Sequence, residues 1–141
     1  MKYYELTGEI IRHAMTVHSK LGCGFPEKFY QRALAIEFNF QNLAFEQELA
    51  MDVFYREHNL GYRRVDFFVK NCITLEIKAI SKLEPDDFSQ ARNYLEIFNI
   101  EVGLLINFGT SSLQFHRLVN SRFKDPKKNQ DHTNELENNE N

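Results

Sequence analysis

The 141 residues contain no tryptophan, two cysteines and three prolines. Cys23 and Cys72 stand outside any CxxC pair and away from histidine at zinc-finger spacing, which argues against a disulfide framework or a zinc module. They read as reduced packing residues of a cytoplasmic protein. No run of about 18 apolar residues occurs, so no membrane-spanning helix is expected. The opening MKYYELTGEIIRHAM is broken by charges and lacks the apolar block of a signal peptide. An excess of one charge sign is also missing. Against 20 Asp+Glu stand 17 Lys+Arg, a net charge of −3. A polyanionic partner would therefore need a local patch, because no global field would attract it.

What is present is apolar bulk. Hydrophobic residues make up 43% of the chain, and 13 of them are phenylalanine, enough for the core of one domain. Leu6, Ile10, Ala14 and Val17 recur at helical steps and predict an amphipathic helix over 5–20. LGCGFP breaks it, and Pro26 suits the first turn of a second helix. On that helix Phe29, Ala33, Ile36 and Phe40 form one stripe. Strands are expected at Phe45–Tyr55, 62–69 and 73–80, with HNLG as the turn between the first two. LEPDDFSQARNYLEIF reads as a helix opened by acidic residues. EVGLLINF reads as a buried strand and LQFHRLV as an edge strand. The order predicts one α/β domain over 1–120, a mixed sheet covered by helices. The polar segment 121–141 is expected to be a disordered tail.

The stretch RRVDFFVKNCITLEIKAI carries three charges in an otherwise apolar pair of strands. A loop of Lys70-Asn71-Cys72 pairs Val65 with Ile77, Phe67 with Leu75 and Val69 with Ile73, which makes one face uniformly apolar. The other face then sets Asp66 opposite Glu76 and Arg64 opposite Lys78. Two carboxylates at neighbouring cross-strand positions, about 5 Å apart at Cβ, repel unless a cation compensates. Lys78 is one candidate and a divalent metal another. A solvated ion-pair cluster on a wet sheet face is the bland alternative.

Asp66, followed ten positions on by Glu76-Ile77-Lys78, resembles the D…ExK pattern of the PD-(D/E)xK nuclease superfamily. Gln90-Ala-Arg-Asn-Tyr94 is similar to the QxxxY signature of its exonuclease-like branch. Gly24-Phe-Pro-Glu27-Lys-Phe-Tyr30 is similar to the motif of the GxxExxY family, small bacterial proteins of that superfamily, and Leu104–Gly109 resembles that family's closing strand. The resemblance covers roughly 5–120. Val65 replaces the proline of the superfamily name, and Cys23 stands where GxxExxY proteins often have proline.

The resemblance implies a restriction-endonuclease-like fold and a phosphodiesterase dependent on Mg²⁺ or Mn²⁺, since hard oxygen ligands select such ions. Asp66, Glu76 and the main-chain carbonyl of Ile77 would hold the ion, with Glu27 as a third or water-mediated ligand. Lys78 would position or deprotonate the attacking water or stabilise the phosphate. Gln90 would orient Lys78 or the nucleophile, and Tyr94 would touch a phosphate or base. Read singly, Glu27 suits a helix N-terminus, Gln90 a surface and Tyr94 a core edge. Tyr30 reads as packing and His18 as structural. Arg63, Arg64, Lys82 and Arg92 either form a phosphate-binding patch or balance Asp86, Asp87 and the carboxylate pair. Two functions follow: a metal-dependent nuclease acting on DNA, exonuclease-like from QxxxY, or a silent binding or assembly module that keeps the fold. A homodimer is a further expectation.

Overall fold

The computed structural model describes residues 3–126. Helices α1 (Tyr4–Leu21) and α2 (Glu27–Phe40) are followed by strands β1 (Phe45–Tyr55), β2 (His58–Val69) and β3 (Ile73–Lys78). Helix α3 (Pro85–Phe98) then precedes β4 (Val102–Asn107) and β5 (Gln114–Val119). The sheet runs β1-β2-β3-β4-β5 in space. The β3–β4 pair is parallel and the other three are antiparallel. The parallel pair is the one joined through α3, as a crossover requires. The mixed sheet flanked by helices is the expected restriction-endonuclease-like architecture. The tail expected to be disordered lies, from residue 127 onward, outside the described residues.

Each face of the sheet has its own core. On one, Ile10, Ala14 and Val17 of α1 and Tyr30, Leu34 and Phe38 of α2 pack on Phe67, Val69, Leu75, Ile77, Leu104 and Ile106. On the other, Ala91, Tyr94 and Leu95 of α3 pack on Val65, Leu105 and Leu118. The α2 stripe anticipated from the sequence is not the buried one. Phe29, Ile36 and Phe40 are 49%, 70% and 77% exposed, whereas Tyr30, Leu34 and Phe38 are buried. Two apolar stripes run along this helix, and periodicity alone cannot choose between them. Ring contacts favour the second: Phe38 meets Phe45 and Phe67 edge-on, and Tyr30 stacks on Phe108 at 4.8 Å.

The β1–β2 turn also differs from the expectation. HNLG is strand, and the reversal falls at Arg56-Glu57, both with positive φ, between the paired Tyr55 and His58. Two such residues form the tight turn that matches strand twist. Gly61, at φ +133°, instead sits where the register slips between Val53 and Phe54.

The β2–β3 register pairs Phe67 with Leu75, Phe68 with Thr74 and Val69 with Ile73, as the apolar face demanded. It ends there. The expected contacts of Val65 with Ile77 and Arg64 with Lys78 do not form, because the β1–β2 hairpin rolls over at Asp66. Phe67 and Val69 belong to the core under α1 and α2, but Val65, Leu49 and Met51 belong to the core under α3. At the roll, across from Asp66 in register, Glu48 adopts φ +54°, a conformation uncommon for a residue with a Cβ and costly in a strand.

Candidate active site

The roll of the hairpin aims the carboxylate of Asp66 into the gap where β2 parts from β3. There its Oδ2 accepts the backbone N–H of Ile77 at 2.7 Å, and its Oδ1 accepts Nε2 of Gln31 at 2.8 Å. Glu76, one residue before Ile77, lies in hydrogen-bonding contact with Asp66. Burial, then the charge of Asp66, pushes the Glu76 carboxyl up to about 8. Burial also raises Asp66, opposed by the Ile77 N–H and by the hydrogen bond from Glu76. The two acids therefore share a proton when nothing else neutralises them.

Lys78 follows on the same strand. Its Nζ lies 3.8 Å from Oδ1 of Asp87. The other oxygen of Asp87 accepts the backbone N–H of Glu84 at 2.8 Å in a capping box at the start of α3. The main chain at Lys78 is fixed from the residue just after β4, where the N–H of Phe108 donates to its carbonyl at 2.8 Å. Buried Asn107 grips the next turn, bonding both N–H and C=O of Ile80 at 3.0 and 2.9 Å. Gly109 is required beside it, because a Cβ there would meet Ile80 backbone atoms at 2.3 Å.

Glu27 opens α2. Its carboxyl is raised by burial and then by Asp66, with Lys78 pulling it down, so it faces the same centre. Gln31, one turn later, shares that face. The preceding loop is held by Tyr30, whose hydroxyl donates to the carbonyl of Gly22 at 2.6 Å and accepts the N–H of Phe25 at 3.3 Å. Buried His18 braces the far side, with Nε2 2.9 Å from the carbonyl oxygen of Thr110. Both are structural, in line with their sequence reading.

Residues 4–118 match the family model of the PD-(D/E)XK nuclease superfamily. The chain belongs to that superfamily. A solved structure titled "Crystal structure of SSO0001" is similar, with TM-score 0.52 and 18% sequence identity over 84% of this chain. At that identity the likeness speaks to the fold. This chain spans 60% of that structure's chain. A search of curated proteins finds no match.

Nucleases of this superfamily generally use divalent metals, so the fit of the residues to such an ion matters. Two half-buried carboxylates in hydrogen-bonding contact offer hard oxygen donors whose mutual repulsion a cation would relieve. Among the described residues no group of three or more His, Cys, Asp or Glu converges on one ion position. Glu27 is thus an outlying acid beside a two-carboxylate centre. Such a centre suits an ion that keeps several of its own waters.

Of the other anticipated residues, Tyr94 and Arg63 lie within reach of the Glu76 charge and the rest lie farther out. Tyr94 is buried; burial and then the Glu76 charge push its hydroxyl up to about 12, and it points to Sδ of Met51 at 3.3 Å. Gln90 is exposed on α3. Arg64, half-exposed, lies 3.9 Å from Glu48 and away from Lys78. Lys82 is exposed, and Arg92 lies over the Phe88 ring at 5.8 Å. Arg63 stands closer to the centre: its charge acts on Glu76, and it reaches Asn93 at 3.5 Å. Sequence reasoning missed Gln31, Glu48 and Asp87. Gln31 had a signal, being one helical turn from Glu27. Glu48 had none, because a left-handed residue inside a strand leaves no mark in the pattern.

Proposed function

We propose that this protein is a divalent-metal-dependent phosphodiesterase of the PD-(D/E)xK type that hydrolyses nucleic acid, DNA in the first instance. The observation that carries the reading is the half-buried Asp66–Glu76 pair in hydrogen-bonding contact, with Lys78 close by on the same strand and Glu27 facing it. Asp66, Glu76 and the carbonyl of Ile77 are the residues that would hold Mg²⁺ or Mn²⁺. The bound ion would supply charge neutralisation at the phosphate and a water acidic enough to attack it. Lys78, kept in place by Asp87 and the β4 contacts, would orient that water or carry charge at the phosphate. Glu27 and Gln31 would hold the Asp66 side of the centre. The GxxExxY assignment belongs to this proposal, and its support is the loop before Glu27, in which Gly24 adopts φ +112° and Tyr30 bonds Gly22 and Phe25.

Incubation with labelled single- and double-stranded DNA in Mg²⁺ or Mn²⁺, beside an Asp66→Ala variant, tests the reading. Degradation by the parent protein alone supports it; degradation by neither protein, or by both, overturns it. One observation favours a second reading, a silent binding module: Lys78 is engaged by Asp87. Loss of that reading follows if calorimetry detects Mn²⁺ binding that depends on Glu76 and turnover accompanies it.

A further inference from the structure

The aromatic pair beside Glu27 has no role in the hydrolytic centre. Phe25 and Phe29 are 42% and 49% exposed. Their rings lie 5.8 Å apart and nearly parallel, at 20°. Tyr30 props Phe25 edge-on at 6.2 Å, and its hydroxyl fixes the Phe25 backbone. This is a rigid flat apolar face left in water, and it flanks the acid that faces Asp66 and Lys78. On the neighbouring face of α2, Lys28, Gln31 and Arg32 line a groove of about 520 Å³ closed by Gln47 and Glu48. Gln31 connects that groove to Asp66. Exposed Lys28 and Arg32 are spaced one turn apart along it.

Flat apolar rings next to a basic groove are the chemistry that holds unpaired nucleotides, with phosphates on the cations and a base on the ring. A paired base inside a duplex has no free face to offer. We infer that the start of α2 is a strand-binding site, in which Lys28 and Arg32 take phosphates and the Phe25–Phe29 face stacks an unpaired nucleobase, so that the substrate enters as a single strand or a frayed end. The inference rests on the proposed function, because it assigns the occupant from the site's position beside the acid pair. Ile36 and Phe40, exposed farther along the same helix, lie outside it.

The test measures binding of 5′-fluorescein-labelled oligodeoxynucleotides in EDTA, single-stranded and duplex. The parent is compared with Phe25→Ala/Phe29→Ala, Lys28→Ala/Arg32→Ala and Ile36→Ala/Phe40→Ala. The inference expects the phenylalanine pair to weaken single-strand binding at least tenfold and duplex binding much less. It expects the basic pair to weaken both, with a reduced salt dependence, and the distal pair to weaken neither. Unchanged single-strand binding in the phenylalanine variant overturns it, as does equal loss for both substrates. Sedimentation showing a dimer dissolved equally by the phenylalanine and the distal pairs, with binding lost in step, also overturns it and makes the stripe a seam between copies. Hydrolysis of bis(p-nitrophenyl) phosphate with Mn²⁺ separates the two readings. Its absence in the parent counts against the phosphodiesterase, while the oligonucleotide arm still decides the stacking site.

Discussion

The carboxylate of Asp66, one residue beyond the β2–β3 ladder, takes the backbone N–H of Ile77, two residues beyond it on the other strand, at 2.7 Å. A side chain thus does what a main-chain carbonyl would do in a continued ladder. The strands are free to part, and Glu76 is left against Asp66 in the opening. The same separation that exposes a reaction centre would otherwise orphan a buried N–H.

The acid pair makes stability depend on pH. Glu76 sits near 8 in the folded protein against an ordinary value of 4.5, so the folded state keeps a proton that the unfolded chain has released across that window. Metal-free stability is therefore fullest below about pH 4.5 and falls as pH rises toward about 8. Thermal melts in EDTA check this. Glu76→Gln is expected to flatten the curve and to melt higher than the parent at pH 8, while losing activity.

Gln31 acts through Asp66. Replacing it with alanine removes the 2.8 Å bond to Oδ1 and frees the carboxylate to turn. Catalytic rate is expected to fall about tenfold, with melting temperature changed by no more than a few degrees. A rate equal to the parent's would remove Gln31 from the site.

Asp87 has two separable duties. Asp87→Asn keeps an oxygen for the Glu84 N–H but removes the charge facing Lys78. Stability is expected to change by less than about 1 kcal/mol, whereas kcat falls and its pH profile shifts. Denaturant titration and steady-state kinetics on the same preparations distinguish the two effects.

Glu48 stands at φ +54° where the hairpin rolls. Glycine adopts that backbone without a Cβ penalty, so Glu48→Gly is expected to be stabilising by about 0.5–1 kcal/mol, and Glu48→Val destabilising by more. Chemical denaturation provides the comparison.

Much of this was legible before any coordinates. The alternation of Phe67, Val69, Ile73 and Leu75 dictated the β2–β3 register, and that register brought Asp66 to Glu76. Helix boundaries followed from Pro26, the Glu84-Pro85 start and periodic apolar positions. What periodicity could not see was a change of face within one strand. Val65 and Phe67 are two residues apart yet belong to opposite cores, because the hairpin departs from the pleat where Glu48 adopts a positive φ. The choice between the two apolar stripes of α2 was likewise hidden, since it depended on which rings met Phe45, Phe67 and Phe108 across the core. Asp87 was read as a helix-start charge and Lys78 as a site residue; only their approach in space joined them.

The central claim is that the opening between Asp66 and Glu76 holds a divalent ion. A crystal soaked in Mn²⁺ and measured for anomalous scattering tests it most directly. The expected result is a peak bounded by both carboxylates and the Ile77 carbonyl oxygen, absent from a Glu76→Gln crystal treated alike. A saturating soak that leaves that opening without a peak, or a peak that persists in Glu76→Gln, would contradict it.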